Sequence, residues 1–164
     1  MGIVETFSGA VTTDVLIIAV VFLAVFFFSI VYGKSNSIAL LFSLYLGILG
    51  FVSFPFMEEF IFLKSSEIQI VLSRIAVFTV IAGFIYTAIQ RSIYAEYPDY
   101  KILKLAQAGV LSLSSTALIF AFAYHTLPVS TLYDFGQSVD SLFSSEYFFW
   151  WLAAPLGALF FVSR

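Results

Sequence analysis

Few residues in this chain are equipped for chemistry, and each group of them lacks a necessary companion. Glu58 and Glu59 are an adjacent carboxylate pair of the kind that can work on a metal-bound water, but metal chemistry also needs further ligands. His125 is the single histidine and there is no cysteine, which excludes disulfides, thiolate metal sites and any mechanism that calls for two imidazoles. A serine nucleophile would need a histidine on a neighbouring helix. Gly136-Gln137-Ser138 lies outside the apolar stretches, where no such base accompanies it. Phosphate-loop and dinucleotide fingerprints are absent. The expectation is a non-enzymatic protein with no catalytic residues, no cofactor and no metal site.

Two polar features remain, both inside apolar stretches. Arg74 lies about two turns into one such run, where an arginine costs on the order of 2.5–3.5 kcal/mol on insertion scales. Asp14 opens another run and could pair with it. In one reading an Asp14–Arg74 ion pair belongs to a proton or ion path; in the plainer alternative Arg74 snorkels to headgroups while Asp14 caps its helix. Ser112, Ser114, Ser115 and Thr116 concentrate hydroxyls on one run, with Ser112, Ser115 and Thr116 as candidates for a polar path. In membranes such hydroxyls more often bond carbonyls of their own helix.

The elements that carry these residues are set by hydropathy. Of the 164 residues 62% are hydrophobic, 20% aromatic and only 10% charged, and a soluble domain of this size could not bury that much apolar surface. Four long runs, about 14–32, 37–56, 68–90 and 102–124, are each long enough at ~1.5 Å per residue to cross a ~30 Å hydrocarbon core. The first is flanked by Glu5 and Asp14 without Lys or Arg and is followed by no small-x-small cleavage pattern, so it reads as a retained helix. A fifth run, 147–162, reaches only ~24 Å and contains Pro155; it is expected as a short fifth membrane helix, with Trp150 and Trp151 in an outer aromatic belt. The fold class is therefore all-α: one integral-membrane helix bundle of four transmembrane helices, spanning 1–164 without repeats or linkers.

Connections and helix faces give orientation and packing. Lys34, Arg91, Lys101 and Lys104 fall on one side, against Lys64 on the other, which predicts a multi-pass protein with its N-terminus outside and these four inside; Arg164 joins the inside set if the fifth run crosses. Between the fourth and fifth runs, Thr131 and Asp134 have helix N-cap spacing. Leu132, Phe135, Val139, Leu142 and Phe143 then recur at helical period, predicting an amphipathic helix over 131–145 on the outer surface. Its polar face is acidic, so packing on the bundle or a partner subunit suits it better than anionic lipid. Ala39, Ser43 and Gly47, with Gly50 a turn later, and Gly83 on the third run, offer small faces for close helix approach. A net charge of −3 with no basic face excludes nucleic acid as a partner. The partners expected are the lipid bilayer and either another membrane protein or further copies of the chain.

The order of these features resembles the colicin V production protein family of bacterial inner-membrane proteins. The features are Asp14 opening helix 1, Gly33 with Lys34 in the first turn, Glu67 with Arg74 at the third helix, and the outer Leu132–Phe143 segment, so the likeness covers about Thr13 to Ser145. The resemblance implies localisation in the bacterial cytoplasmic membrane and a non-enzymatic role in toxin production or export or in envelope maintenance. A scaffold or accessory subunit fits that expectation; a small homo-oligomeric transporter or channel is the alternative.

Overall fold

The computed structural model describes residues 2–55, 67–93, 96, 100–126, 135–144 and 146–162, with side chains from Thr13 onward except those of 137 and 138. Among these residues all regular structure is helical: α1 (Gly2–Val52), α2 (Glu67–Gln90), α3 (Lys101–Thr126), α4 (Gln137–Leu142) and α5 (Phe148–Val162). Three helices are long and apolar enough to cross a membrane, Thr13–Val52, Glu67–Gln90 and Lys101–Thr126, while Phe148–Val162 is a shorter apolar helix.

The first of these is folded back on itself. Gly33 alone inside α1 leaves helical geometry, at φ 86 and ψ 176, a backbone region that is essentially glycine-only. Ser37 Oγ lies 2.8 Å from Ser29 Oγ, although eight residues of straight helix would separate their Cα atoms by about 12 Å. Likewise Ile17 packs in a cluster with Phe120 while the Phe51 ring sits 5.2 Å from Phe122, so two positions that a straight helix would hold ~50 Å apart meet the same stretch of α3. The sequence places a four-residue loop here, Gly33 to Asn36. Instead the helix resumes directly after Gly33, because Asn36 and Ser37 bond back to the Tyr32 and Gly33 carbonyls at 2.7 and 2.9 Å and replace the lost helical partners.

Helix α3 is the centre of the bundle. Of its most apolar window 61% is buried, against 6% for α1 and 11% for α2. Leu41, Leu44 and Ile48 of the second arm of α1 meet Leu111, Leu118 and Phe122 of α3 and Val71 and Phe78 of α2 in one core. At its heart Phe78 stacks on Phe122 at 3.8 Å, with the Phe51 ring edge-on to both. The second arm reaches α2 closely only through glycine: a Cβ on Gly47 would stand 3.1 Å from Ala82 Cβ and 3.2 Å from the Phe78 ring, and one on Gly50 would stand 3.3 Å from Ile81. Ala39 and Ser43 are buried as their spacing implies, whereas Gly83 has open space where its Cβ would be.

Helix α5 runs from one end of the bundle to the other. Phe148 lies 3.9 Å from the His125 ring at the end of α3, and the Val162 carbonyl accepts from Lys34 Nζ at 2.8 Å beside Gly33. Pro155 sits buried inside it, and the Tyr45 hydroxyl donates to the Leu152 carbonyl next to the break in its ladder.

Two matched substitutions test this packing. Gly47→Leu is expected to destabilise the bundle by about 1–3 kcal/mol in detergent unfolding, while Gly83→Leu, the same change at an open site, leaves stability within about 0.5 kcal/mol. Gly33→Ala, which meets no atom, is expected to cost about 1–3 kcal/mol from backbone conformation alone.

Candidate functional site

The residues singled out by type lie at two ends and along one seam. The end opposite Gly33 holds Asp14, Arg74 and the docked helix α4. Asp14 lies well inside α1, whose backbone is already helical from Gly2, so it is not that helix's cap. It is 2% exposed, and its Oδ2 accepts the backbone N–H of Gly136, the N-cap residue of α4, at 2.8 Å. Gly136 has no side chain to obstruct this contact: a Cβ there would sit 3.0 Å from the same oxygen.

Arg74 has a different partner. Its Nη1 donates to the Thr126 carbonyl, 3.2 Å away at the C-terminus of α3, where the helix leaves carbonyls unpaired and its dipole favours a cation. The described contacts therefore give Asp14 and Arg74 separate partners at the same end of the bundle.

Helix α4 is shorter than the 131–145 expected from periodicity, running Gln137–Leu142 with Gly136 at its N-cap; Thr131 and Asp134 lie outside the described residues, as do Glu58, Glu59, Lys64 and Arg164. Three of the five apolar residues expected on its inner side dock inward; Leu142 is exposed instead and Leu132 lies outside the described residues. Phe135, Val139 and Phe143 are buried against Phe120, Ile17, Ile18 and Trp151, with Phe143 stacked between Tyr124 at 5.2 Å and Trp151 at 4.9 Å. The Tyr124 hydroxyl reaches Asp140 at 3.1 Å, and Trp151 Nε1 donates to the Leu142 carbonyl at 2.8 Å. The acidic segment thus packs on its own bundle.

The hydroxyl group of α3 forms a buried seam. Ser112, Ser115 and Thr116 are all buried, with Ala108 completing the small-residue face. Ser112 and Ser114 donate to the Ala108 and Val110 carbonyls at 2.7 and 2.8 Å, the own-helix bonding that membrane serines usually adopt. Thr116 differs: 3% exposed, its Oγ1 has no hydrogen-bond partner among the described residues. Gln107, not singled out from the sequence, is 5% exposed, and its Oε1 has no hydrogen-bond partner among the described residues. Its signal was available, since a glutamine set within an apolar run is, like Arg74 though less costly, a polar group placed in an apolar stretch. Among the described residues no group of three His, Cys, Asp or Glu is placed to hold a metal.

At the Gly33 end, Ser35 Oγ donates to the Ile93 carbonyl and the Tyr86 hydroxyl to Asn36 Oδ1 at 3.3 Å, which brings the first turn and the turn after α2 together. Lys34, whose ammonium serves the C-terminus of α5, was legible only as a topological charge.

Comparison with known proteins returns nothing: no family model, no curated protein and no solved structure matches the chain.

Removing the Asp14 acceptor leaves a partly buried N–H unpaired at the head of α4. Asp14→Ala is expected to cost about 1–3 kcal/mol and to accelerate amide exchange over 136–143 ahead of the rest of the bundle. Because the two residues have separate partners, the Asp14→Asn and Arg74→Leu effects on stability should add within about 0.5 kcal/mol in a double-mutant cycle; a larger coupling would place them in direct interaction.

Proposed function

We propose that this chain is a multi-pass protein of a bacterial cytoplasmic membrane that acts as a non-catalytic scaffold or accessory subunit, in the manner implied by its resemblance to the colicin V production family. Four crossings are read by counting the arms of α1 separately: residues 13–32 and 34–52 rise about 30 and 28 Å at ~1.5 Å each, close to the hydrocarbon thickness. Helix α5, about 22 Å long, would be a fifth and short passage, helped by the Lys34 stem reaching its last carbonyl.

The observation that carries the scaffold reading is the contrast between helix faces. The first arm of α1 and most of α2 are left largely unburied within the chain, with Leu23, Phe27, Val80 and Phe84 strongly exposed, while the second arm of α1 packs into the core and the polar side chains Ser37, Ser43 and Ser112 turn inward and are bonded. A broad apolar flank of this kind suits lipid and the helices of a partner. The clustering of Lys34, Arg91, Lys101 and Lys104 toward the Gly33 end supports a cytoplasmic position for that end and an external position for Asp14 and α4. A link to toxin production, export or envelope maintenance rests on the family resemblance.

The alternative, a small homo-oligomeric transporter or channel, is favoured by one observation, the unpartnered Gln107 and Thr116 oxygens deep in α3.

Orientation is checked with single cysteines in this cysteine-free chain. A membrane-impermeant maleimide applied to intact spheroplasts is expected to label Glu146→Cys and to spare Ser92→Cys until lysis; the reverse pattern inverts the topology. The scaffold role is checked by affinity isolation from native membranes in mild detergent, with a stoichiometric membrane-protein partner expected. Solute or ion flux in proteoliposomes that Thr116→Val or Gln107→Leu abolishes would instead establish the transport reading.

A further inference from the structure

Between the folded arms of α1 and helix α2 lies a groove of about 350 Å³, open to the side, with Phe28, Leu40, Leu44, Phe78, Gly83 and Tyr86 on its walls. Its volume falls in the range of ligand sites, roughly 300–1,000 Å³. The hydroxyls in its wall are already engaged with their own helices: Ser43 donates to the Leu40 carbonyl and Thr79 to the Ile75 carbonyl, both at 2.8 Å. What the wall offers a ligand is therefore hydrocarbon. A whole helix, about 10–12 Å across, is too bulky for this space, whereas a single acyl chain is not.

The groove is polar at one end only. Tyr86 marks that end, where its hydroxyl meets Asn36 of the Gly33 turn. Arg91 follows just past the end of α2, exposed on the turn that Ser35 ties down through the Ile93 carbonyl. Lys34, at the same end, is committed to the C-terminus of α5, and Glu96 lies past the tied residue in the connection to α3. Arg91, five residues past Tyr86, is thus an exposed guanidinium at the end where the groove is polar, the end at which Lys101 and Lys104 also begin α3.

We propose that this groove binds one anionic phospholipid of the surrounding bilayer, an acyl chain lying against Phe28, Leu44 and Phe78 and the phosphate meeting Arg91 beside Tyr86. The site rests on the reading of these helices as membrane-spanning, but on neither their orientation nor the scaffold role. A cation at the membrane surface attracts anionic headgroups, and a guanidinium matches phosphate with paired donors.

Gly83 supplies an unusually clean test, because a side chain added there meets nothing in the protein and enters only the groove. The full chain, reconstituted in nanodiscs of equal phosphatidylglycerol and phosphatidylcholine, is released and weighed by native mass spectrometry. The wild-type chain is expected to retain one phospholipid, with phosphatidylglycerol preferred. Gly83→Leu should abolish retention, and Thr79→Phe, which narrows the same groove, should do so independently if the first variant proves poorly folded by circular dichroism. Arg91→Gln should keep the lipid but reduce the preference for phosphatidylglycerol by about fivefold. Retention unchanged in both filled variants overturns the site, and preference unchanged in Arg91→Gln overturns its anionic selectivity. A monomer–dimer shift in Gly83→Leu with retention intact would assign the groove to a second copy of the chain and overturn the proposal. Failure of the membrane reading is distinguishable from all of these, since the protein would then stay monodisperse without detergent.

Discussion

Backbone groups that a helix end or break leaves unpaired must find partners, and in this bundle those partners are side chains from elsewhere in the chain. The Val162 carbonyl at the end of α5 takes the Lys34 ammonium, and the Thr126 carbonyl at the end of α3 takes the Arg74 guanidinium. Ile93, just past α2, is served by Ser35, and Leu142, the last residue of α4, by Trp151; Tyr45 adds a bond to the Leu152 carbonyl, next to the Trp151 carbonyl whose helical donor Pro155 lacks. At the head of α4 the sign is reversed, and the Gly136 N–H finds Asp14. Each of these bonds ties one element to another, so satisfying the backbone also assembles the bundle. In a medium without competing water every such bond is harder to give up than it would be at a soluble surface.

The same constraint accounts for the charged residues placed where lipid would penalise them. Arg74 costs most if its charge hangs in hydrocarbon and least if it reaches the negative end of a helix dipole, which Thr126 provides. Lys34 does the equivalent service at the opposite end, so the two cations hold α3 and α5 at the two ends of the bundle. Asp14 complements them by holding the acidic α4 segment down over Ile17, Ile18 and Phe120, where its apolar side supplies the area and the carboxyl oxygen supplies the register. Among the described residues, two buried side-chain oxygens of the α3 seam, on Gln107 and Thr116, find no hydrogen-bond donor.

Small residues play different parts according to their neighbours. Ala39, Ser43, Gly47 and Gly50 form a face of the second α1 arm that lies against α2 and α3, and Gly47 in particular sets how near α2 can come. Gly83 has the same composition signal and the opposite role: it opens a groove rather than closing a contact. Composition alone could not separate these cases, because a missing side chain permits approach without specifying whether another helix takes it up.

By itself the sequence determined that this chain is helical and strongly apolar, that α2 and α3 span Glu67–Gln90 and Lys101–Thr126 to within a residue or two of the hydrophobic runs, and that Phe135, Val139 and Phe143 share one buried side. Those properties follow from local periodicity and transfer energy, which each segment carries regardless of its neighbours. Only the tertiary structure decided that the reversal in α1 is made at Gly33 alone, that Asp14 serves Gly136 while Arg74 serves Thr126, that α5 extends to Lys34, and that Gln107 is buried. Those are pairings between residues as far as 128 apart in the chain. An unsatisfied carbonyl or charge creates the demand for a partner, but which residue meets it is settled by the packing of helices in space.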